Sequence, residues 1–233
     1  MYKKLLLGLV CTAALGFAVP TTSHAAPEND PTLDKTDVEI GFQGANTPTN
    51  GPFKNKLSLV YRPTAFKFGV NNDTTGTLTT FKNSITDKQY LVVNEDRETG
   101  SKWDLTANLS ELKTADGTQT LPATLQFTTD NFQGYDIGTN MNATNDDYIP
   151  NALTAEHLSV LKDPADILGG SNKVVAGATD EVSVLKNSNA ARGKGGVAAR
   201  TRSAELVVAN SSGLGGKKFS GEVSYSLSVV PGE

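Results

Sequence analysis

Cysteine and histidine are almost absent from this chain, which has one cysteine and two histidines among 233 residues. Cys11 lies in an apolar run that we predict is removed, so the remaining protein has no cysteine for a disulfide, a thiolate metal site or a nucleophile. His157 then stands alone, and one imidazole cannot form a zinc site with the usual histidine and cysteine ligands. No Gly-x-Ser-x-Gly turn carries a serine nucleophile. The sequence therefore indicates no catalytic residues, no metal site and no cofactor.

Long apolar stretches are confined to the start of the chain. Lys3 and Lys4 precede an apolar run, and Ser23-x-Ala25 fits the small-x-small cleavage pattern of a secretory signal peptide. The run is too short for a lasting membrane span, so we predict a secreted protein with no membrane span. We divide the chain into three parts: a signal peptide at 1–25, a flexible leader at 26–36 and a single domain at 37–233.

Basic residues are fewer than acidic residues in this chain. Removal of Lys3 and Lys4 with the signal peptide leaves 19 basic residues against 25 acidic ones, a net charge of about −6. This balance argues against nucleic acid as a partner and against a general attraction to anionic membranes.

Amphipathic helices are scarce, whereas short segments of alternating apolar and polar residues recur with Gly and Asn turns between them. Residues 103–109 (WDLTANL) and 219–229 (FSGEVSYSLSV) show this alternation most clearly. Recurrent short strands without long helices predict an all-β fold, a β-sandwich of mostly antiparallel strands.

The region 129–180 has a different composition, rich in Asn, Asp and Gly. We predict a long loop-rich insertion here, because its few apolar residues cannot support a core of their own. Within it, residues 155–162 (AEHLSVLK) favour one short helix, with Thr154 as N-cap and Pro164 as its end.

Three segments together resemble the WxL domain family, surface-located cell wall-binding proteins of low-GC Gram-positive bacteria. Residues 57–69 (LSLVYRPTAFKFG) are similar to the family's early Leu-x-Leu-x-Tyr-x-Pro segment. Residues 93–105 (VNEDRETGSKWDL) resemble its Asp-x-Arg-x-x-Gly-x-x-Trp-x-Leu motif, and residues 219–231 resemble its last strand with the second motif. One departure is Tyr225, at a position where the family commonly has Trp.

The resemblance implies a non-catalytic surface protein that attaches non-covalently to the cell wall, with peptidoglycan as the ligand. It also implies companions, namely a WxL-interacting protein and a sortase-anchored protein. An alternative is an interaction module held at the surface by such a partner within a complex, with adhesion as a further role. A third class is a wall hydrolase, for which the sequence shows no motif.

The two aromatic-x-Leu pairs, Trp103-x-Leu105 and Tyr225-x-Leu227, allow two interpretations. An aromatic residue on the alternating face of a strand usually belongs to the core, and both pairs then pack inside the domain. Alternatively, an exposed aromatic ring stacks on a sugar.

Polar candidates surround the motifs. Asp96, Arg97 and Gly100 precede the first pair, and either shape the turn or contact a glycan or its peptide stem. A set of basic residues later in the chain is either a solvated flexible loop or a contact site for an anion or an acidic partner. Its members are Arg192, Lys194, Arg200, Arg202, Lys217 and Lys218.

Overall fold

The computed structural model describes residues 33–39, 51–142 and 147–231, and strands dominate these ranges. This confirms the predicted all-β class. The predicted signal peptide and the first residues of the leader lie outside the described residues. The strands are β1 Leu33–Glu39, β2 Leu57–Tyr61, β3 Ala65–Phe66, β4 Thr79–Lys82, β5 Tyr90–Glu95, β6 Trp103–Leu109, β7 Leu112–Lys113, β8 Thr120–Leu121, β9 Ala123–Tyr135, β10 Asn140–Asn142, β11 Asp147–Tyr148, β12 Leu158–Val160, β13 Ile167–Leu168, β14 Gly170–Val175, β15 Val182–Asn187, β16 Gly195–Val208 and β17 Ser220–Val229.

Two sheets form the sandwich. The eight-stranded sheet has the order β13-β15-β6-β17-β1-β3, with β7 joined to β17 and β8 joined to β7. The seven-stranded sheet has the order β12-β9-β16-β5-β2, with β14 also on β9 and β4 also on β16. Most pairs are antiparallel, as predicted, and β1 with β3 is a parallel exception. The short strands β10 and β11 pair with each other.

The main core lies between the two sheets and follows from the alternation in the sequence. In β6 every second residue is buried, and the residues between them are half-buried. On the facing sheet, β9 alternates in the same way from Ala123 to Thr129. Alternation puts one set of side chains on the inner face of each strand, so the two inner faces fill the space between the sheets.

The predicted helix at 155–162 is wrong. Residues 154–157 form a turn, β12 follows at Leu158–Val160, and the only helical element in the described ranges is a 3-10 turn at Pro164–Asp166. β12 pairs antiparallel with the end of β9, at residues 133–135. A helix of eight residues has little stability of its own, and here pairing with a long strand supplies the backbone hydrogen bonds instead.

The region 129–180 also contains more regular structure than predicted. It includes the end of β9 and the whole of β14, which belong to the seven-stranded sheet. Parts of the remaining segment cover the outer face of that sheet and pack on a second cluster, here called the outer cluster. Its buried members are Phe53, Val60, Tyr61, Val92, Tyr135 and Ala198.

The first strand spans residues on both sides of position 37, where we predict that the domain begins. β1 begins at Leu33, within the segment for which we predict a flexible leader, and pairs along β17 from Leu33 to Glu39. Its backbone therefore belongs to the eight-stranded sheet before residue 37.

Candidate functional site

The two aromatic-x-Leu pairs lie side by side on adjacent strands. β6 and β17 pair antiparallel, and the register places Leu105 directly opposite Leu227. Trp103 and Tyr225 are the two largest fully buried side chains in the described ranges, at 2% and 0% exposure. Strand pairing thus joins two motifs that are more than a hundred residues apart in the chain, and both belong to the main core.

The turn before the first pair carries the chain from one sheet to the other. β5 belongs to the seven-stranded sheet and β6 to the eight-stranded sheet, so residues 96–102 form a crossing between the layers. A second crossing, at 188–194, returns the chain from β15 to β16. The two crossings are neighbours at one end of the sandwich, here called the motif end.

Gly100 lies where the crossings touch. A Cβ atom on Gly100 would come within 2.0 Å of the carbonyl oxygen of Arg192 and 2.9 Å of that of Ala190. The Asn187 side-chain amide also donates a hydrogen bond of 2.9 Å to the carbonyl of Ser101. The glycine of the motif is therefore required by close backbone approach between the two crossings.

Arg97 has its partners inside its own turn. Its guanidinium donates to both carboxylate oxygens of Glu95, at 2.8 and 2.5 Å, and also to the hydroxyl of Ser101. The hydrogen bonds to Glu95 raise the pKa of Arg97, and the charge of Glu95 adds to this effect. Glu95 is only 5% exposed, so this bidentate pair fixes the shape of the turn.

Asp96 connects the same turn to the segments around it. Its carboxylate accepts the backbone N–H of Asn55 at 2.7 Å and the hydroxyl of Tyr148 at 3.3 Å. Its own N–H donates to the carbonyl of Lys56 at 3.0 Å. These contacts favour the turn-shaping interpretation of Asp96 and Arg97 over direct ligand contact.

The six basic candidates do not form one patch. Arg192 and Lys194 lie at the motif end, Arg200 and Arg202 lie within β16, and Lys217 and Lys218 follow that strand. Lys217 and Lys218 line a cavity with the last residues of β16, whereas Lys194 immediately precedes its first residue. Since a strand rises ~3.3 Å per residue, about 40 Å separates the two ends of this set.

Three of the six basic candidates have an acidic partner. Lys194 lies 2.7 Å from Glu98, and this contact raises the pKa of Lys194 and lowers that of Glu98. Arg192 donates to the carbonyl of Asp163 at 3.1 Å and lies 4.0 Å from the carboxylate of Asp166. Arg202 donates to both carboxylate oxygens of Asp130, at 2.8 and 2.5 Å.

The other three basic candidates have no acidic partner among the described residues. Arg200, Lys217 and Lys218 form no ion pair within the described ranges. A basic residue in the sequence therefore does not by itself mark an available positive charge on this protein.

Sequence reasoning missed the interior of the outer cluster. The hydroxyls of Tyr61 and Tyr135 both donate to the carbonyl of Asn151, at 2.5 and 2.7 Å, and their rings meet edge to face. Burial raises the pKa of both tyrosines, and their proximity raises that of Tyr135 further. No local signal in the sequence connects these three residues, because the contacts span 16 and 90 positions.

Sequence reasoning also missed a cavity of about 320 Å³ beside β16. It lies between the strand and the β4–β5 connection, and eight of its ten lining residues are polar or charged. The residues are Lys82, Asn83, Ile85, Thr86, Arg200, Thr201, Arg202, Ser203, Ala204 and Glu205.

The described ranges contain no cluster of three or more His, Cys, Asp or Glu side chains arranged to hold a metal ion. Nor does any helix in this part of the chain have the length and apolar character needed to cross a membrane.

No curated protein and no solved structure matches this chain. The WxL domain family, described as surface cell wall-binding, matches residues 13–231 and thus nearly the whole sequence. The chain belongs to the WxL family and is a surface protein that binds the cell wall.

Proposed function

We propose that this protein is secreted and binds peptidoglycan directly, without catalysis, through polar surface residues. In this proposal the aromatic-x-Leu pairs hold the domain together and do not touch the polymer. One observation carries it: Trp103 and Tyr225 are fully buried on paired strands, so neither ring offers a face to a sugar. The family motif then describes the core that supports a binding surface elsewhere.

The wall is a repetitive polymer, and this favours weak contact at each site. Many equivalent sites on one polymer raise the effective concentration, so a modest affinity for a single fragment gives firm attachment to a whole sacculus. Direct binding of this kind needs no deep active-site cleft.

The test is co-sedimentation of the secreted protein with purified sacculi, before and after removal of teichoic acid. Binding that survives this treatment supports direct recognition of peptidoglycan. Trp103 is the only tryptophan, so its emission reports the core. We expect a blue-shifted spectrum that does not change on binding. Absence of the protein from the pellet would refute direct wall binding.

The same samples test the absence of catalysis. A wall hydrolase releases soluble fragments with new reducing ends or new amino groups. We expect the supernatant to contain no more of either than the sacculi release alone. Progressive release would refute the non-catalytic proposal.

A second candidate function is attachment through a partner protein, and one exposed sheet edge favours it. β12 is the last strand of the seven-stranded sheet and pairs only with β9 within the described residues. Its last residue, Val160, is 96% exposed. An uncovered edge with an exposed aliphatic side chain is the geometry that accepts an added strand.

Val160→Lys tests this candidate, because a charge on an edge strand opposes the addition of another strand. We expect sacculus binding of the protein alone to remain unchanged, and capture by a WxL-interacting protein to fall if the edge is the interface. Leu78→Lys is the matched control, since Leu78 is 67% exposed and lies away from this edge. Equal effects of the two variants would refute a role for the β12 edge.

A further inference from the structure

The cavity beside β16 lies between two strands, β4 and β5, which pair with different parts of the same edge of β16. β9 occupies one edge of β16, and the other edge pairs with β5 at residues 195–200 and with β4 at residues 205–208. Residues 201–204 lie between these two ladders, opposite the connection at 83–89. We call this place the sheet gap.

The backbone of β16 is irregular at the sheet gap. Its register with β9 shifts between Arg202 and Glu205, and Ser203 has a positive φ of 52°. A positive φ is uncommon for a residue other than glycine, and such residues cluster at functional sites. The cavity of about 320 Å³ lies near the lower end of the size range of small-molecule sites.

Two buried polar side chains at the sheet gap have no hydrogen-bond partner among the described residues. Thr201 lines the cavity and is 4% exposed, and its hydroxyl is unsatisfied. Gln89 is 2% exposed, and both its amide oxygen and its amide nitrogen are unsatisfied. The N–H of Thr201 donates to the carbonyl of Gln89 at 2.8 Å, so the two residues are neighbours. Buried polar groups in folded proteins almost always have partners, and a bound ligand can supply them.

The charge around the cavity is positive on a protein that is acidic as a whole. Lys82 and Arg200 line it without an ion-pair partner in the described part of the chain. Arg202 is paired with Asp130, and Glu205 is the one acidic residue of the lining. The motif end differs, because Arg97, Arg192 and Lys194 there each have an acidic partner.

We propose that the sheet gap binds an oxyanion of the wall polymer, a carboxylate or a phosphate, between Lys82 and Arg200, with hydroxyl groups of the ligand reaching Thr201. This inference rests on the proposed wall binding and names the contact site for it. Free carboxylates of peptidoglycan stem peptides and phosphates of teichoic acid share the required chemistry. Hydrogen bonds to a charged group are stronger than neutral ones, so two cations and a hydroxyl give specificity in a small space.

The first experiment separates this site from general charge attraction. Lys82→Gln/Arg200→Gln and Lys217→Gln/Lys218→Gln remove the same charge, one pair at the sheet gap and the other at the far end of β16. Binding is measured by calorimetry with two probes, a soluble muropeptide with free carboxylates and a polyol-phosphate oligomer. We expect the sheet-gap variant to weaken binding of one probe by about tenfold or more, since 1.4 kcal/mol corresponds to a factor of ten. The control should stay within about twofold of the unaltered protein.

The probe that responds identifies the source of the oxyanion. A response to the muropeptide alone assigns peptidoglycan, and a response to the phosphate oligomer alone assigns teichoic acid. Equal losses in both double variants would overturn the proposal and indicate diffuse electrostatics.

Thr201→Val separates a binding role from a structural one. Valine has nearly the same shape and removes an unsatisfied hydroxyl, so the free protein should melt at the same temperature or higher. Binding of the responding probe should nevertheless fall by several-fold. A lower melting temperature with unchanged binding would overturn the assignment of this hydroxyl to the ligand.

Failure of the inference is distinct from failure of the proposed function. If the unaltered protein does not sediment with sacculi, wall binding itself is wrong. If it sediments and the sheet-gap variant sediments equally well, only the sheet-gap site is refuted.

Discussion

The two sheets of this sandwich are buried in different ways. The eight-stranded sheet packs one face on the core, and its central strand β6 alternates between buried and half-buried residues. The seven-stranded sheet is covered on both faces at one end, where all five residues of β2 and five of the six residues of β5 are buried. The cover includes Ile137, Tyr148 and Leu153, which lie between β9 and β12 in the chain and pack on the outer cluster.

The two kinds of burial give different patterns in the sequence. A strand buried on one face alternates, whereas a strand buried on both faces shows a nearly continuous apolar run. Residues 57–61 (LSLVY) form such a run. The difference also affects which surface is accessible, because described residues cover the outer face of the seven-stranded sheet at that end. Its sheet gap, in contrast, opens to solvent.

The largest effect should come from the inner core of the eight-stranded sheet. Trp103→Ala removes the largest fully buried side chain, and we expect the free energy of unfolding to fall by ~3–5 kcal/mol. Urea denaturation followed by circular dichroism measures it, since the variant has no tryptophan. Trp103→Phe is the control and should lose clearly less. Near-native stability of Trp103→Ala would contradict the core role of the motif.

A smaller effect should come from the junction of the two sheets. Gly100→Ala forces a Cβ atom against the carbonyl of Arg192, and overpacking of this kind costs about 1–3 kcal/mol. Gly193→Ala, in the facing crossing, meets nothing within 4 Å and should be close to neutral. Equal melting temperatures of the two variants would show that the crossings do not touch.

The outer cluster should be sensitive to alkaline pH. Burial raises the pKa of Tyr61 and Tyr135 above the ordinary value of 10.0, so the folded protein retains protons that the unfolded chain releases. Their stabilising contribution is complete below pH 10, and it is lost as the pH rises above that value toward the folded pKa.

Tyr135→Phe tests this assignment. We expect it to cost about 1 kcal/mol at pH 7, through the lost hydrogen bond to Asn151, and to make the decline above pH 10 shallower. Stability is measured by thermal melting between pH 7 and pH 11. An unchanged alkaline slope would show that this hydroxyl is not responsible.

The smallest effect should come from the outer face of the eight-stranded sheet. Ser183 donates a hydrogen bond of 2.6 Å to Asp104 in an exposed position. Ser183→Ala should change the free energy of unfolding by no more than about 0.5 kcal/mol, as is usual for surface substitutions. A larger loss in urea denaturation would mean that this face is covered, as the other sheet is.

The sequence allows much of this fold to be predicted, but little of the candidate site. Alternation predicts β6 and β17 closely, and the scarcity of amphipathic helices predicts the two-layer class. The helix predicted at 155–162 is wrong, because pairing with the end of β9 outweighs the weak local preference of eight residues. The sheet gap has no signature in sequence, because the β4–β5 connection, which carries Gln89, meets Thr201 of β16 only through strand pairing.

Composition and local pattern determined that this protein has no cysteine beyond Cys11, that its strands alternate, and that each motif aromatic lies on the same face of its strand as the leucine two positions later. These properties depend on neighbours in the chain, so they can be read along it. Only the tertiary structure decided that Leu105 lies opposite Leu227, and which basic side chains have acidic partners. Those outcomes depend on contacts between distant segments, since the charge that a lysine or arginine presents to a ligand is set by what folds beside it.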